Sequence, residues 1–137
     1  MKPIIILDPG HGLGNKKAGR YDSGAESNNY TEAEIVMTWA NELRDILRAR
    51  KVAVVRTRVD DKDPCSISER ARIAKRYNGT IMISLHCNAA TGTASGSETF
   101  YRGDSNKAFA TRLNAIVCAG LGTKNRGAKT ESQSQHS

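Results

Sequence analysis

The chain opens with an apolar run that is followed at once by a turn and a histidine. Ile4-Ile5-Ile6-Leu7 is typical of a buried strand, because its residues are apolar and mostly β-branched. Asp8-Pro9-Gly10 predicts a break there, since proline fixes φ and glycine admits positive φ. His11 comes just after that break. Ligands of an open α/β sheet bind beyond the carboxyl ends of its strands, so His11 is a candidate functional residue.

A second stretch repeats this pattern. Residues 80–85 (TIMISL) are mainly apolar and end at His86. Glu32 lies in the first turn of a predicted helix, where Thr31-Glu32-Ala33-Glu34 matches a capping box. The N-terminus of a helix that follows a strand opens on the side where the strand ends. We therefore expect His11, Glu32 and His86 to converge.

Two imidazoles and one carboxylate, with a fourth position for water, form a common ligand set for catalytic zinc. The pattern accordingly predicts a Zn²⁺ site made by His11, Glu32 and His86. The alternative is a pair of loop histidines that other groups satisfy, with Glu32 favoured at its position by the helix dipole. The residues alone leave both interpretations open.

The order of predicted elements is β-α-β-α-β. It predicts an α/β fold with a mostly parallel twisted sheet flanked by helices, in a single domain over residues 1–137. Further strands are expected at residues 52–55, 80–85 and 97–101, and helices capped by Thr31, Ser66 and Ser105, the last of them ending at Gly120 or Gly122. Apolar residues at helical spacing are expected on the inner helix faces: Ile35, Val36, Trp39, Leu43, Ile46 and Leu47, then Ile67, Ala71, Ala74 and Tyr77, then Phe109, Leu113, Ile116 and Val117. Residues 12–29 are expected to form a long polar loop, and residues 123–137 an irregular tail.

Composition limits the classes of partner. The net charge of +7 favours an anionic partner such as nucleic acid, an anionic membrane or a wall polymer. Aromatic residues make up only 5% of the chain, the cations are scattered and no recognition motif occurs, which disfavours nucleic acid. No apolar stretch approaches the ~20 residues of a membrane span. No signal peptide is recognised, so we expect synthesis in the cytoplasm.

Several segments occur together in one order: residues 5–12 (IILDPGHG), 22–25 (DSGA), Glu32, 57–58 (TR), 83–89 (ISLHCNA) and 96–101 (GSETFY). In this combination the chain resembles the zinc-dependent N-acetylmuramoyl-L-alanine amidases of the amidase-3 family. The resemblance implies the phosphorylase/hydrolase-like amidase fold and Zn²⁺ bound by His11, Glu32 and His86. It also implies cleavage of peptidoglycan between N-acetylmuramic acid and L-alanine. We expect no signal peptide and no wall-binding domain, a combination that looks more like a phage endolysin than a secreted division amidase. The expected place of action is the bacterial wall, and the chain is separately expected to be a monomer.

One departure from the family pattern concerns the general base. Family members continue into a further strand and a Glu-x-Gly-Phe-like segment whose glutamate is thought to accept the proton, and this chain is expected to lack both. Glu98 is the best internal candidate for that catalytic role, although support of the site is its alternative role. Two functions follow: an active amidase that uses Glu98, or a zinc-binding but inactive module that recognises peptidoglycan.

Overall fold

The computed structural model describes residues 2–88 and 94–134. They belong to two compact units, residues 1–89 and 90–137. The first unit contains β1 (Ile4–Pro9), β2 (Gly12–Leu13), β3 (Tyr21–Asp22), β4 (Glu26–Ser27), β5 (Tyr30–Thr31), α1 (Glu32–Ala49), β6 (Ala53–Arg56), α2 (Ile67–Arg76) and β7 (Ile81–Leu85). The second contains β8 (Ser97–Tyr101), α3 (Lys107–Leu121) and β9 (Asn125–Thr130), with short 3₁₀ turns at Asp104–Asn106 and Glu131–Gln133.

A parallel three-stranded sheet forms the centre of the first unit. Its strand order is β6-β1-β7, with Ile6 opposite both Val55 and Met82. Ile6 and Leu7 are fully buried, as expected for an apolar strand with a partner on each side. Parallel strands with intervening helices recur in both units, which confirms the predicted α/β fold with a mostly parallel sheet.

β1 extends further than the sequence predicts. The break expected at Asp8 occurs only after Pro9, because Asp8 and Pro9 still pair with Ser84 and Leu85 of β7. The Gly10 N–H continues the ladder by donating to Leu85 O at 3.1 Å. The strand therefore carries its hydrogen bonding up to the residue before His11.

The predicted helix starts are confirmed for α1 and α2. Thr31 Oγ1 accepts the Glu34 N–H at 3.3 Å, and Glu34 Oε2 accepts the Thr31 N–H at 3.1 Å, which completes the capping box. Ser66 Oγ accepts the Glu69 N–H at 3.2 Å, while the Glu69 carboxylate lies 3.4 Å from Arg72. Both helices thus begin where a hydroxyl can satisfy an otherwise unpaired N–H.

The predicted inner helix faces are partly wrong. The residues of α1 that are buried are Glu32, Ala33, Val36, Met37 and Ala40. Large apolar residues that periodicity assigned to inner faces are exposed instead: Trp39, Ile46, Ile67, Tyr77, Phe109, Ile116 and Val117. Small side chains allow a helix to approach its sheet closely, so the buried stripe of α1 is centred on alanine and not on tryptophan.

Residues 12–31 contain more structure than a plain loop. β2 pairs with β3 and β4 pairs with β5, both antiparallel. The first pair sets Gly12 opposite Asp22, and the second sets Glu26 opposite Thr31. These two short ladders bring Asp22 back to His11 and lead the chain into α1.

The second unit is a β-α-β arrangement. β8 and β9 are parallel, with Ser97 opposite Asn125 and Tyr101 opposite Thr130, and α3 connects them. The expectation of an irregular tail from residue 123 is therefore wrong for β9. Among the residues that the structure describes, no helix is both long and apolar enough to cross a membrane.

The ends of α3 differ in how well they were predicted. The helix begins at Lys107, after a 3₁₀ turn, with Asn106 at its N-cap, so the predicted Ser105 cap is wrong. Its C-cap is Gly122, one of the two glycines expected there, with φ 64°. The buried residues of α3 are Ala110, Asn114 and Cys118.

Candidate metal centre

His11, Glu32 and His86 converge in the first unit, as the sequence predicts. His11 Nε2 lies 3.0 Å from Glu32 Oε1, and His86 Nδ1 lies 3.1 Å from that same oxygen. The two ring nitrogens are themselves 3.1 Å apart. The three atoms therefore form a nearly equilateral triangle, and the three residues together could hold a metal ion.

Three different structural elements position the three side chains. Glu32 is the first residue of α1, and His86 directly follows β7. His11 follows β1 with φ 59°, in the left-handed region that non-glycine residues seldom adopt. Such a conformation costs about 1–2 kcal/mol, so other contacts must hold it. Glu32 is 3% exposed, whereas the His86 side chain is 40% exposed, which leaves the centre accessible on the His86 side.

The Glu32 carboxylate is held by backbone donors as well as by imidazoles. The Cys87 N–H donates to Oε1 at 2.6 Å, and the Ala25 N–H donates to Oε2 at 2.9 Å. Burial alone would raise the pKa of Glu32, but the hydrogen bonds from His11, His86 and these N–H groups hold it well below its usual range. Glu32 is therefore an anion at neutral pH with a fixed orientation.

Asp22 contacts the far side of the His11 ring, with Oδ2 3.1 Å from Nδ1. Burial alone would raise the pKa of Asp22, but hydrogen bonds from Asn15, His11 and the Gly24 N–H lower it to about 2. The Glu32 hydrogen bond raises the pKa of His11, burial opposes it, and Asp22 raises it further. An ionised Asp22 favours the His11 tautomer with a proton on Nδ1, which leaves Nε2 free to bind a metal.

Asp22 is a candidate functional residue that the sequence pattern alone does not single out. Its segment carries part of the family resemblance, but the sequence assigns no role to the carboxylate, because ten residues of glycine-rich sequence separate it from His11. In the structure, the β2–β3 ladder sets Gly12 opposite Asp22 and so brings the aspartate close to His11. A histidine ligand commonly donates its other N–H to a carboxylate, and this chemistry is the signal that points to the aspartate of the segment after His11.

The donor set and its geometry fit a zinc ion. Ligand atoms bound at about 2.0–2.1 Å in a tetrahedron lie about 3.3 Å from one another, close to the separations of 3.0–3.1 Å found here. Without a metal, His11 must carry protons on both nitrogens to donate to Glu32 and Asp22 together. A cation held by the three residues would replace the proton on His11 Nε2. Three protein ligands is the number typical of catalytic zinc sites.

Gly24 makes this close arrangement possible. A Cβ atom at Gly24 would lie 2.7 Å from both Glu32 Oε2 and His11 Cδ2. The residue also has φ 70°, which a side chain would strain. The backbone of the loop therefore packs directly against two of the three candidate ligands.

Replacing Asp22 by asparagine is expected to weaken zinc binding by about 10–100-fold, the usual effect of losing the partner of a metal-bound histidine. The amide keeps the shape of the carboxylate but not the charge that stabilises the Nδ1–H tautomer. Competition with a chromophoric chelator measures the affinity. Asp45→Asn is the matched control, because Asp45 is exposed and pairs with Arg44. Equal affinity for wild type and Asp22→Asn would exclude this role.

Glu98, the sequence candidate for the catalytic base, lies in β8 of the second unit. Its carboxylate forms ion pairs with Lys129 and, at 3.3 Å, with Arg126, both of β9. The hydrogen bond from Lys129 is the main reason that the pKa of Glu98 is lowered; burial opposes it, and the hydrogen bond from Arg126 lowers the pKa further. A lowered pKa makes a carboxylate a weaker proton acceptor.

Proteins of known enzyme class are similar to this chain in sequence. The sequence profile of the Amidase_3 family, described as N-acetylmuramoyl-L-alanine amidase, matches residues 5–135. N-acetylmuramoyl-L-alanine amidase LytC of Bacillus subtilis is 32% identical over 131 residues, which are 92% of this chain and 25% of LytC. The endolysin of Bacillus phage SPP1 is 32% identical over 100 residues, which are 73% of this chain and 34% of the endolysin. The chain thus spans only about a quarter to a third of the length of these two relatives.

Solved structures agree with the sequence relatives. The catalytic domain of the N-acetylmuramoyl-L-alanine amidase CwlV of Bacillus (Paenibacillus) polymyxa var. colistinus superposes with a TM-score of 0.82 at 28% identity. The match covers 95% of this chain and 70% of that one. The amidase AmiC2 of Nostoc punctiforme gives a TM-score of 0.81 at 28% identity and covers 95% and 69%. Because the profile match spans nearly the whole chain, this protein belongs to the Amidase_3 family of N-acetylmuramoyl-L-alanine amidases.

Proposed function

We propose that this chain is a zinc-dependent peptidoglycan hydrolase that cleaves the amide between N-acetylmuramic acid and the L-alanine of the stem peptide. The observation that carries the proposal is the triangle of His11 Nε2, Glu32 Oε1 and His86 Nδ1, with edges of 3.0–3.1 Å. Family membership supplies the substrate class, and the relatives include an endolysin. The proposed place of action is the bacterial cell wall.

The chain's own residues prepare the site in three ways. Glu32, anionic and buried, supplies negative charge that favours a divalent cation over a proton. Asp22 holds the His11 ring so that Nε2 faces the centre. The exposed side of His86 gives a large polymeric substrate a route to the centre. When bound, Zn²⁺ would supply a Lewis acid for the amide carbonyl and lower the pKa of a water molecule towards ~7.

The test uses the chain as it stands, loaded with equimolar zinc, on purified peptidoglycan. New L-alanine amino termini are scored, and a chelated sample is the control. We expect zinc-dependent release of these termini that stops on chelation and returns when zinc is restored. Zinc binding that is absent altogether would refute the proposed metal site, and release that is indifferent to chelation would refute its zinc dependence.

Glu98 stays our candidate for the proton acceptor. Because the paired cations lower its pKa, we expect it to be a modest base, and Glu98→Gln to lower turnover by about 100-fold at most with zinc affinity unchanged. Measured kcat on soluble muropeptides decides this. Glu131→Gln is the control, since Glu131 forms a comparable but exposed pair with Arg102. An undiminished kcat in Glu98→Gln would show that Glu98 is not the proton acceptor.

The second candidate function is a zinc-binding module that recognises peptidoglycan without cutting it. The specific observation in its favour is that Lys129 and Arg126 already engage the Glu98 carboxylate. This function predicts that the zinc-loaded chain sediments with purified sacculi but releases no amino termini. The same incubation therefore separates the two functions.

A further inference from the structure

Two buried arginines bind the turn that presents His11. The carbonyl oxygens of Pro9, Gly10 and His11 are consecutive, and each accepts from the guanidinium of Arg58 or Arg70. Pro9 O accepts from both, at 2.9 Å in each case. Backbone carbonyl groups at the end of a strand are commonly hydrated. Here three consecutive carbonyl groups instead accept hydrogen bonds from buried side chains.

Arg58 joins the His11 turn to the start of α1. Its side chain is fully buried, and its Nη2 donates to Gly10 O at 2.8 Å and to Ala33 O at 3.0 Å. Gly10 precedes His11, and Ala33 follows Glu32. Asp61 Oδ1, 2.9 Å from Nη1, balances the charge. One guanidinium thus sets the spacing between two ligand-bearing segments.

Arg70 of α2 holds His11 itself. Its Nη2 donates to His11 O at 2.6 Å, which fixes the peptide that follows the residue with φ 59°. Its Nη1 donates to Asp8 Oδ1 at 2.5 Å. The other oxygen of Asp8 accepts from Ser84 Oγ at 2.6 Å, and Ser84 lies two residues before His86. The network therefore reaches the third ligand-bearing segment.

We propose that Arg58 and Arg70 are positioning residues of the metal centre. They fix the relative places of the backbone segments that carry His11, Glu32 and His86, and so set the affinity for the ion. The proposal rests on the proposed zinc site. Neither arginine offers a ligand atom. A planar guanidinium with five donors can bind several carbonyls at once, which a lysine ammonium cannot reproduce in the same geometry.

The test compares Arg58→Lys and Arg70→Lys with the control Arg72→Lys. Arg72 is an exposed arginine of α2, two residues after Arg70. Circular dichroism in chelator establishes folding of each variant. Zinc affinity is then measured by chelator competition, and Co²⁺ is used as a spectroscopic probe of ligand geometry. We expect both buried variants to fold, to bind zinc at least about tenfold more weakly than wild type, and to show altered Co²⁺ absorption bands. Arg72→Lys should match wild type.

Three other results are decisive as well. Wild-type zinc affinity and Co²⁺ bands in the folded variants would overturn the proposal. Failure of both variants to fold would overturn it too, because the arginines would then serve the fold and not the site. Absence of zinc binding by wild type would overturn the proposed function, and with it the assignment of any positioning residue.

Discussion

Glu32→Gln is expected to weaken zinc binding by more than about 100-fold and to abolish amide hydrolysis. Loss of a mere partner of a ligand costs about 10–100-fold, and Glu32 is proposed as a ligand. The amide removes the only negative charge of the triangle. Its NH₂ group is a donor, so the side chain keeps one acceptor oxygen and one of the Ala25 and Cys87 N–H groups loses the acceptor that the carboxylate supplies. Chelator competition and release of L-alanine amino termini measure the two effects.

A matched control lies two residues further on. Glu34 is exposed and completes the capping box of α1, a role that glutamine also fills. Glu34→Gln should therefore keep wild-type zinc affinity and activity. If Glu32→Gln also bound zinc as wild type does, Glu32 would not be a ligand, and the metal centre would have to be sought elsewhere.

The candidate ligands could be predicted because each follows a strong local signal. Apolar β-branched runs mark β1 and β7, and His11 and His86 come just after them. The capping box places Glu32 in the first turn of α1. Parallel strands then bring these points to one edge of the sheet. Local pattern and one topological rule were enough for all three positions.

β9 could not be predicted from its residues. The segment NRGAKT has neither apolar alternation nor β-branched enrichment, and periodicity is the main strand signal in a single sequence. It becomes a strand because it pairs with β8, from Ser97 opposite Asn125 to Tyr101 opposite Thr130. Such pairing depends on residues about thirty positions apart, which local propensity does not describe.

The buried faces of the helices were misjudged for a different reason. The spacing of apolar residues identifies a stripe along a helix, but it does not show which residues in and beside that stripe contact the sheet. In α3 the large Phe109 and Ile116 are exposed, while Ala110, Asn114 and Cys118 are buried. Asn114 is tolerated there because its side chain donates to Asn125 Oδ1 at 2.7 Å and accepts from Thr99. A satisfied buried amide looks like a surface residue in the sequence.

The polar network around the candidate metal centre could not be predicted from the sequence. Arg70 resembles a surface cation in a chain with net charge +7, and Arg58 belongs to a segment typical of the family to which the sequence assigns no role, yet both are buried. Their partners at Asp8 and Gly10 are 62 and 48 residues away. Charged residues are almost never buried unless paired, and no single-sequence pattern reveals the pairing.

Gly10→Ala is expected to reduce zinc affinity by more than about tenfold, an effect at least as large as the loss of a hydrogen-bond partner of a ligand. A Cβ atom at Gly10 would lie 2.6 Å from His86 Nε2 and 2.8 Å from Nδ1, where no side-chain atom can be accommodated. The His86 ring must move, and Nδ1 then leaves its place 3.1 Å from Glu32 Oε1. Because the His86 side chain is 40% exposed, it can turn towards solvent without unfolding the sheet.

The prediction separates site geometry from stability. In chelator, Gly10→Ala should melt close to wild type, while added zinc should raise its melting temperature much less than that of wild type, since stabilisation grows with ligand affinity. Gly120→Ala is the control: its Cβ atom would meet nothing within 4 Å, and alanine favours the helix there. An equal zinc-induced shift in Gly10→Ala and wild type would mean that His86 does not bind the ion from the place it occupies beside Gly10.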